Sequence, residues 1–265
     1  MAQESSFLGA KQSEKMNTVE RFSNRVENYA KYRPGYPREV LTFFCDELDL
    51  TENSVVADIG SGTGISSKLF LENGNKVFGV EPNAAMRHAA EEFLVEFANF
   101  KSVDGTAENT NLLDNSVDFV VAAQAFHWFD RDETPREFRR ISRENGCVAL
   151  LWNERLLDAN EFLREYENLL KKYGSDYEKV RHDNLDKDIF ENSFEVSFSS
   201  KSFQNVQTLD FNGLKGRLLS ASYMPSETDV RFAPMVVELQ RLFEKHAESG
   251  KIQISYNTNI FYARL

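Results

Sequence analysis

Cysteine is nearly absent, with only Cys45 and Cys147 among 265 residues. Neither has a CxxC neighbour or a nearby histidine, so no structural metal framework is expected and both read as buried, inert thiols in a reducing cytoplasm. Long apolar runs are also missing. Nothing approaches the ~18 residues of a transmembrane helix, and the opening MAQESSFLGAKQSEK has no apolar core of signal-peptide length. The expectation is a cytoplasmic chain with no membrane partner. Basic clusters are scarce: 31 basic residues face 42 acidic ones, for a net charge of −11, and the pairs Arg139-Arg140 and Lys171-Lys172 have acids close by. A surface that repels phosphates makes nucleic acid an unexpected partner. No repeat or low-complexity segment occurs.

What is present suffices for a large core. Apolar residues make up 41% of the chain, and phenylalanine alone appears 22 times. Residues 1–20 are polar and expected to be loosely ordered. Pro37 suits the first position of a helix over 38–48. From residue 55 onward strands and helices alternate: strands at 55–59, 76–80, 100–103, 117–122 and 147–152, and helices at 65–73, 84–98 and 132–143. Short turns between alternating strands and helices predict a parallel sheet covered on both faces. After Trp152 the pattern changes to a helix over 160–173, a charged stretch over 174–191, a strand over 194–203, helices near 211–222 and 231–248, and a terminal strand over 251–264. The predicted divisions are an N-terminal segment (1–36), a core (37–153), a lid or substrate-side insertion with late sheet elements (154–230), and a final helix and strand completing the core (231–265).

The chemistry concentrates at one strand-to-helix turn. Val55–Ile59 runs into Gly60-Ser61-Gly62-Thr63-Gly64, where missing side chains let backbone approach a ligand and the following helix presents unpaired N–H groups. Two carboxylates bracket the turn: Asp58 two residues before Gly60, and Glu81 at the end of the next strand. Strand ends converge there, and a carboxylate in that crevice can accept both hydroxyls of a ribose. A nicotinamide-dependent reductase also uses a glycine turn and a distant acid. Its pattern is GxGxxG, however, and an acid just before the turn repels pyrophosphate while suiting a cationic ligand.

On these residues the chain resembles the class I S-adenosylmethionine-dependent methyltransferases of the type 11, small-molecule branch. VVADIGSGTGISS resembles their first motif, VFGVEPN their second, and VDGTAENTNLLDNSVDFVVAAQAFHWFD the adenine turn and the fourth strand. AQAFHWFD and YAKYRPGYP are similar to segments of trans-aconitate methyltransferase-like proteins. The resemblance implies a Rossmann-like, doubly wound, mostly parallel seven-stranded α/β sheet with an antiparallel terminal strand and a helical lid or substrate insertion. It also implies methyl transfer from S-adenosylmethionine, leaving S-adenosylhomocysteine, with no metal.

The implied roles follow the motifs. Gly60, Ser61 and Gly62, with Thr63 and Gly64, line the methionine part, and Asp58 lies near its ammonium. Glu81 holds the ribose, flanked by Pro82 and Met86. Gly105, Thr106, Ala107 and Glu108 form the adenine turn. Gln124 and Ala125 face the sulfonium, while Tyr29, Tyr32 and Arg33 close over the cofactor. Tyr36, Trp128, Arg155, Arg217 and Tyr223 are candidates for the substrate side. Each has a plainer alternative: Asp58 as a turn cap, Glu108 as surface charge, Met86 as core, Tyr29 and Tyr32 as packing.

Of the histidines, His88 and His246 read as solvated and His182 falls in the charged stretch. His127 follows a strand end and is the candidate general base, or else shapes the cleft. The acceptor stays open at this level. A carboxylate wants an arginine clamp, a hydroxyl or amine wants a base, and a quinone carbon wants an apolar cleft. A cofactor-binding protein without turnover is the non-enzymatic alternative. Monomer and homodimer are equally open.

Overall fold

A computed structural model describes residues 26–175, 177 and 187–265. The polar start over 1–20 and His182 lie outside the described residues. The β-branched run Val55–Ile59 (β1) sits near the middle of a seven-stranded sheet. On one side it pairs in parallel with β2 (Lys76–Val80), and β2 with β3 (Phe100–Val103). On the other it pairs in parallel with β4 (Val117–Ala123), and β4 with β5 (Ser142–Arg155). The long strand β7 (Ile252–Arg264) runs antiparallel to β5 and to the edge strand β6 (Ser199–Leu209), giving the order β3-β2-β1-β4-β5-β7-β6. The chain winds outward from β1 to β3 and then returns to place β4 on β1's other side. A crevice therefore opens at the carboxyl ends of β1 and β4, where no crossover covers it.

Alternation along the strands sorts residues onto two faces. Val56, Phe119, Val121, Ala149 and Leu151 meet Val40 and Phe44 of α2 (Arg38–Glu47) and Phe70 of α3 (Ile65–Leu71). Ala57, Ile59, Val120, Ala122, Val148 and Leu150 meet Phe138 and Ile141 of α5 (Thr134–Ile141) and Phe190 and Phe194 of α7 (Lys187–Phe194). Burial pushes the Cys147 thiol up to about 12, which keeps it protonated and unreactive.

A third cluster lies beyond β7. Here α6 (Glu161–Tyr173), α8 (Phe211–Leu219) and α9 (Phe232–His246) bury Leu163, Leu169, Leu214, Leu218, Met235 and Leu239 against Ile254 and Tyr256. Side-chain caps fix two of these starts: Asn160 accepts from Leu163 N–H, and Asp210 from Gly213 N–H. The helix α4 (Ala84–Phe93) is capped likewise by Asn83.

Several boundaries differ from the sequence expectation. The predicted strand over 194–203 is wrong in its first half: Phe194 closes α7, and the strand starts at Ser199. Phe190, Phe194 and Phe198 recur every four residues, a spacing that fits both a helix face and one side of a strand, and all three enter the same core. α4 ends at Phe93, which is 41% exposed, rather than running to residue 98. β5 extends past both ends of the predicted 147–152: β7 pairs with it from Cys147 to Arg155, and Ser142 pairs with Val117 of β4 ahead of a register shift.

Candidate functional site

The crevice is built from β1 upward. The amides of Gly60 and Ser61 both donate to the Val80 carbonyl, at 2.8 and 3.2 Å, so the chain leaves β1 while still fastened to β2. The bend demands glycine at two positions for different reasons. Gly60 has φ +69°, and a Cβ there meets Ala125 Cβ at 2.6 Å. Gly62 has φ +55° and open space where its Cβ would lie. Gly64, with φ +82°, caps α3 and packs on Leu94.

Asp58 points to the α3 face of β1 and is fully buried. Ser66 and Ser67 of α3 each donate to its Oδ2 at 2.6 Å, while Oδ1 finds no hydrogen-bond partner among the described residues. Burial raises this carboxyl to about 6, against the lowering pull of the serines. Asp58 thus ties the glycine bend to its helix and keeps one acceptor in reserve. Thr63 Oγ1 is likewise buried without a partner among the described residues.

Glu81, at the end of β2, accepts from Gly62 N–H through Oε2 at 3.1 Å and from Asn83 N–H through Oε1 at 2.9 Å. Its proton affinity is raised by burial. A single carboxylate therefore joins the two sequence motifs, bend and second acid, in one crevice.

A cleft open to solvent lies beside the bend. Tyr29, Arg33, Pro34 and Tyr36 wall one side; Gly60, Ser61, Gly62, Thr63, Ile65 and Ser66 form the bend, and Ala123 and Gln124 end β4. Gln124 holds φ +62°, an uncommon conformation for a residue with a side chain, stabilised by its amide donating to the Leu151 carbonyl at 2.8 Å. The tyrosine wall comes from α1 (Val26–Tyr32) and the segment after it. Tyr32 lies flat over Gly216 of α8, where a Cβ would sit 2.1 Å from the ring. Gln207 donates to the Tyr32 carbonyl at 2.9 Å, and Asn153 and Asn205 donate to the Gly35 carbonyl at 3.0 and 2.8 Å. These three amides fasten the N-terminal segment to β5 and β6.

The other predicted residues are placed as follows. Met86 is core, and Pro82 is exposed. Gly105 packs against the Thr110 carbonyl, Thr106 exchanges backbone hydrogen bonds with Asn109, and Ala107 is buried. The Glu108 carboxylate accepts from Asp130 N–H at 2.9 Å, so it braces the loop after the Phe126–Trp128 turn. Ala125 faces Gly60. The rings of His127 and Trp128 lie 4.7 Å apart at a tilt of 47°, and neither side chain walls the cleft.

Arg155 does not offer the free guanidinium that a substrate clamp needs. It donates to Glu167 at 2.5 Å and to Tyr177 Oη at 3.0 Å, inside the third cluster. Breaking that buried pair by Glu167→Ala leaves Arg155 short of its counter-charge. Chemical denaturation is expected to read a stability loss of about 3–5 kcal/mol, with ligand affinity of the folded protein unchanged. Arg217 and Tyr223 lie deeper, beside Arg33. Sequence reasoning missed Pro34, Ile65, Ser66 and Ala123 as walls and Asn153, Asn205 and Gln207 as fasteners. The serine pair right after the glycine bend was the one available signal, since amides within strands carry none. Among the described residues no group of three or more His, Cys, Asp or Glu could hold a metal ion, and no helix is long and apolar enough to cross a membrane.

Comparison with known proteins supports the reading of the core. Residues 57–150 match the family model described as a methyltransferase domain. An uncharacterized methyltransferase-like protein of Schizosaccharomyces pombe is 30% identical over 156 residues, covering 58% of this chain and 59% of that protein. An uncharacterized methyltransferase of Mycobacterium bovis is 34% identical over 160 residues, covering 60% of this chain and 61% of that one. The chain thus spans about six tenths of the length of these curated relatives. Among solved structures, a protein of Anaeromyxobacter dehalogenans described provisionally as a type II methyltransferase superposes with a TM-score of 0.64 at 20% identity, covering 88% of this chain and 98% of that one. The sheet shares the Rossmann-like fold of that structure.

Proposed function

We propose, from the match of residues 57–150 to a methyltransferase-domain model, that the chain transfers a methyl group from S-adenosylmethionine to a small-molecule acceptor. The observation that carries this reading is the Glu81 carboxylate joined to the Gly62 amide at 3.1 Å. It sets a ribose acceptor against a side-chain-free bend, and the orphaned Asp58 Oδ1 and Thr63 Oγ1 behind the bend offer polar contacts suited to an amino-acid moiety. When bound, the cofactor supplies a methyl group already activated on a sulfonium.

The chain's residues supply the rest. Gly60, Ser61 and Gly62 present backbone to the ligand, Asp58 contributes negative charge, and Glu81 accepts from hydroxyls. Tyr29, Tyr36 and Pro34 exclude water from the mouth of the cleft, which favours a reaction that disperses charge. Holding acceptor and methyl donor in line is the main contribution the protein makes, since positioning alone supplies several kcal/mol. Gln124, strained at the end of β4, is the proposed boundary between cofactor and acceptor. A base at His127 is a role only for hydroxyl or amine acceptors.

Calorimetry tests the reading. S-adenosylhomocysteine should bind the intact chain, and Glu81→Ala should weaken it by about 10- to 150-fold, the equivalent of hydrogen bonds to one charged acceptor. Unchanged affinity in Glu81→Ala, or binding of NADH in preference, would overturn the assignment.

A further inference from the structure

Arg33 and Arg217 meet at Ser220, two positive charges with no negative one paired to either among the described residues. Arg33 Nη2 donates to the Ser220 carbonyl at 3.2 Å, its guanidinium lies 4.6 Å over the Tyr29 ring, and its Nε is buried without a partner among the described residues. Arg217, on α8, reaches the same residue from the other side: Nη1 lies 3.5 Å from Ser220 Oγ and Nε 3.4 Å from Tyr256 Oη. Burial, and after it the neighbouring Arg217 charge, depress Arg33's proton affinity, and the groups that oppose this are phenols: Tyr29, Tyr223 and Tyr256. Tyr166 joins them around Arg217. Among the described residues, no carboxylate forms an ion pair with either arginine.

That arrangement is costly. Withdrawing a guanidinium from water is tolerated when it is paired, and placing two side by side adds repulsion. The chain is rich in acids, with 42 Asp and Glu, and it pairs other buried or half-buried arginines with them, as Arg155 with Glu167 and Arg140 with Glu137. A recess that retains two unpaired guanidiniums and surrounds them with phenolic hydroxyls is built for an oxyanion supplied from outside. Arg33 also walls the cleft at the glycine bend, so the recess and the proposed cofactor cleft share a residue.

We propose that Arg33 and Arg217 form an oxyanion subsite that holds the methyl acceptor by an anionic group, and that its occupation fastens the Arg33 wall over the cofactor cleft. This rests on the proposed methyltransferase function. The acceptor is then a small molecule carrying a carboxylate or phosphate, and acceptor and cofactor strengthen each other's binding. Linkage requires the effect to be reciprocal.

The test measures S-adenosylhomocysteine affinity by calorimetry in chloride, succinate and inorganic phosphate at matched ionic strength. The expected result is an affinity about 5- to 150-fold higher in succinate, in phosphate or in both than in chloride. The anion that acts tells whether the acceptor's group is a carboxylate or a phosphate. In Arg217→Met the enhancement should vanish, and in Arg217→Lys it should shrink. Thermal melting without cofactor gives a second readout: whichever anion acts should raise the melting temperature of the parent but not of Arg217→Met, which itself should melt no lower than the parent because it removes an uncompensated charge. Equal affinities in all three salts, or the same enhancement in Arg217→Met, overturn the subsite. Absence of S-adenosylhomocysteine binding in every salt would instead overturn the cofactor assignment beneath it.

Discussion

Gly60→Ala is expected to abolish S-adenosylhomocysteine binding and to destabilise the free protein by about 2–4 kcal/mol. Two costs combine. The left-handed backbone at φ +69° disfavours any side chain by about 1 kcal/mol or more. The added Cβ meets Ala125 Cβ at 2.6 Å and the Phe129 ring at 3.2 Å, an overlap of the kind that costs a packed core about 1–3 kcal/mol. Ala125 cannot retreat, because it starts the Phe126–Trp128 turn and Phe126 is fully buried against Phe190 and Phe194. The bend must therefore move, and with it the Gly60 and Ser61 amides that anchor it to Val80.

Gly62→Ala separates ligand loss from fold loss. Its Cβ meets nothing within 4 Å, so the free protein bears only the backbone strain. The same open space belongs to the cleft, and the methyl group would occupy it. Melting should therefore drop strongly in Gly60→Ala and little in Gly62→Ala, while calorimetry shows binding lost in both. A Gly62→Ala variant that binds as tightly as the parent would mean the ligand does not lie against the bend.

The parts of this site that were legible in the sequence share one property: they are local. The run Val55–Ile59, the glycines after it and the acid ending the next strand lie within 27 positions, and the backbone rules that give them meaning act over a few residues. The long terminal strand β7 was also legible, its antiparallel direction through the family resemblance. The recess of Arg33 and Arg217 was not, because it joins α1 to α8 across most of the chain, and an arginine's pairing is not written in its neighbours. Arg155 and Arg217 looked alike in sequence; Glu167 neutralises the first, and nothing among the described residues neutralises the second. The helix ending at Phe194 was misread because every-fourth spacing serves both periods. Asn153, Asn205 and Gln207 escaped notice because an amide within a strand reads as solvent-facing until something is seen to lie over it.

Asp58 should make cofactor affinity depend on pH in a definite direction. Burial lifts its carboxyl to about 6 in the folded protein, against about 3.9 in an unfolded chain. The native state therefore holds the proton more tightly, and this group's contribution to stability falls as pH rises from about 4 to 6. The penalty is fully present above pH 6, is absent below pH 4, and is of order 3 kcal/mol. A ligand bearing an ammonium group favours the ionised form and offsets that penalty. S-adenosylhomocysteine affinity should thus rise about tenfold between pH 5 and 7 and then level off.

Asp58→Asn keeps the shape and an acceptor for Ser66 and Ser67 but cannot ionise. Two signs should follow together: without ligand, the variant gains stability over the parent at pH 7.5 and loses most of that advantage by pH 4.5; with ligand, its affinity is weaker than the parent's at pH 7. Glu81 is also raised by burial and titrates in both proteins, so the difference between the two affinity curves isolates Asp58. Parallel curves across pH 5 to 8 would show that the buried carboxylate only clamps α3 to the bend and that the ligand's positive charge is met elsewhere.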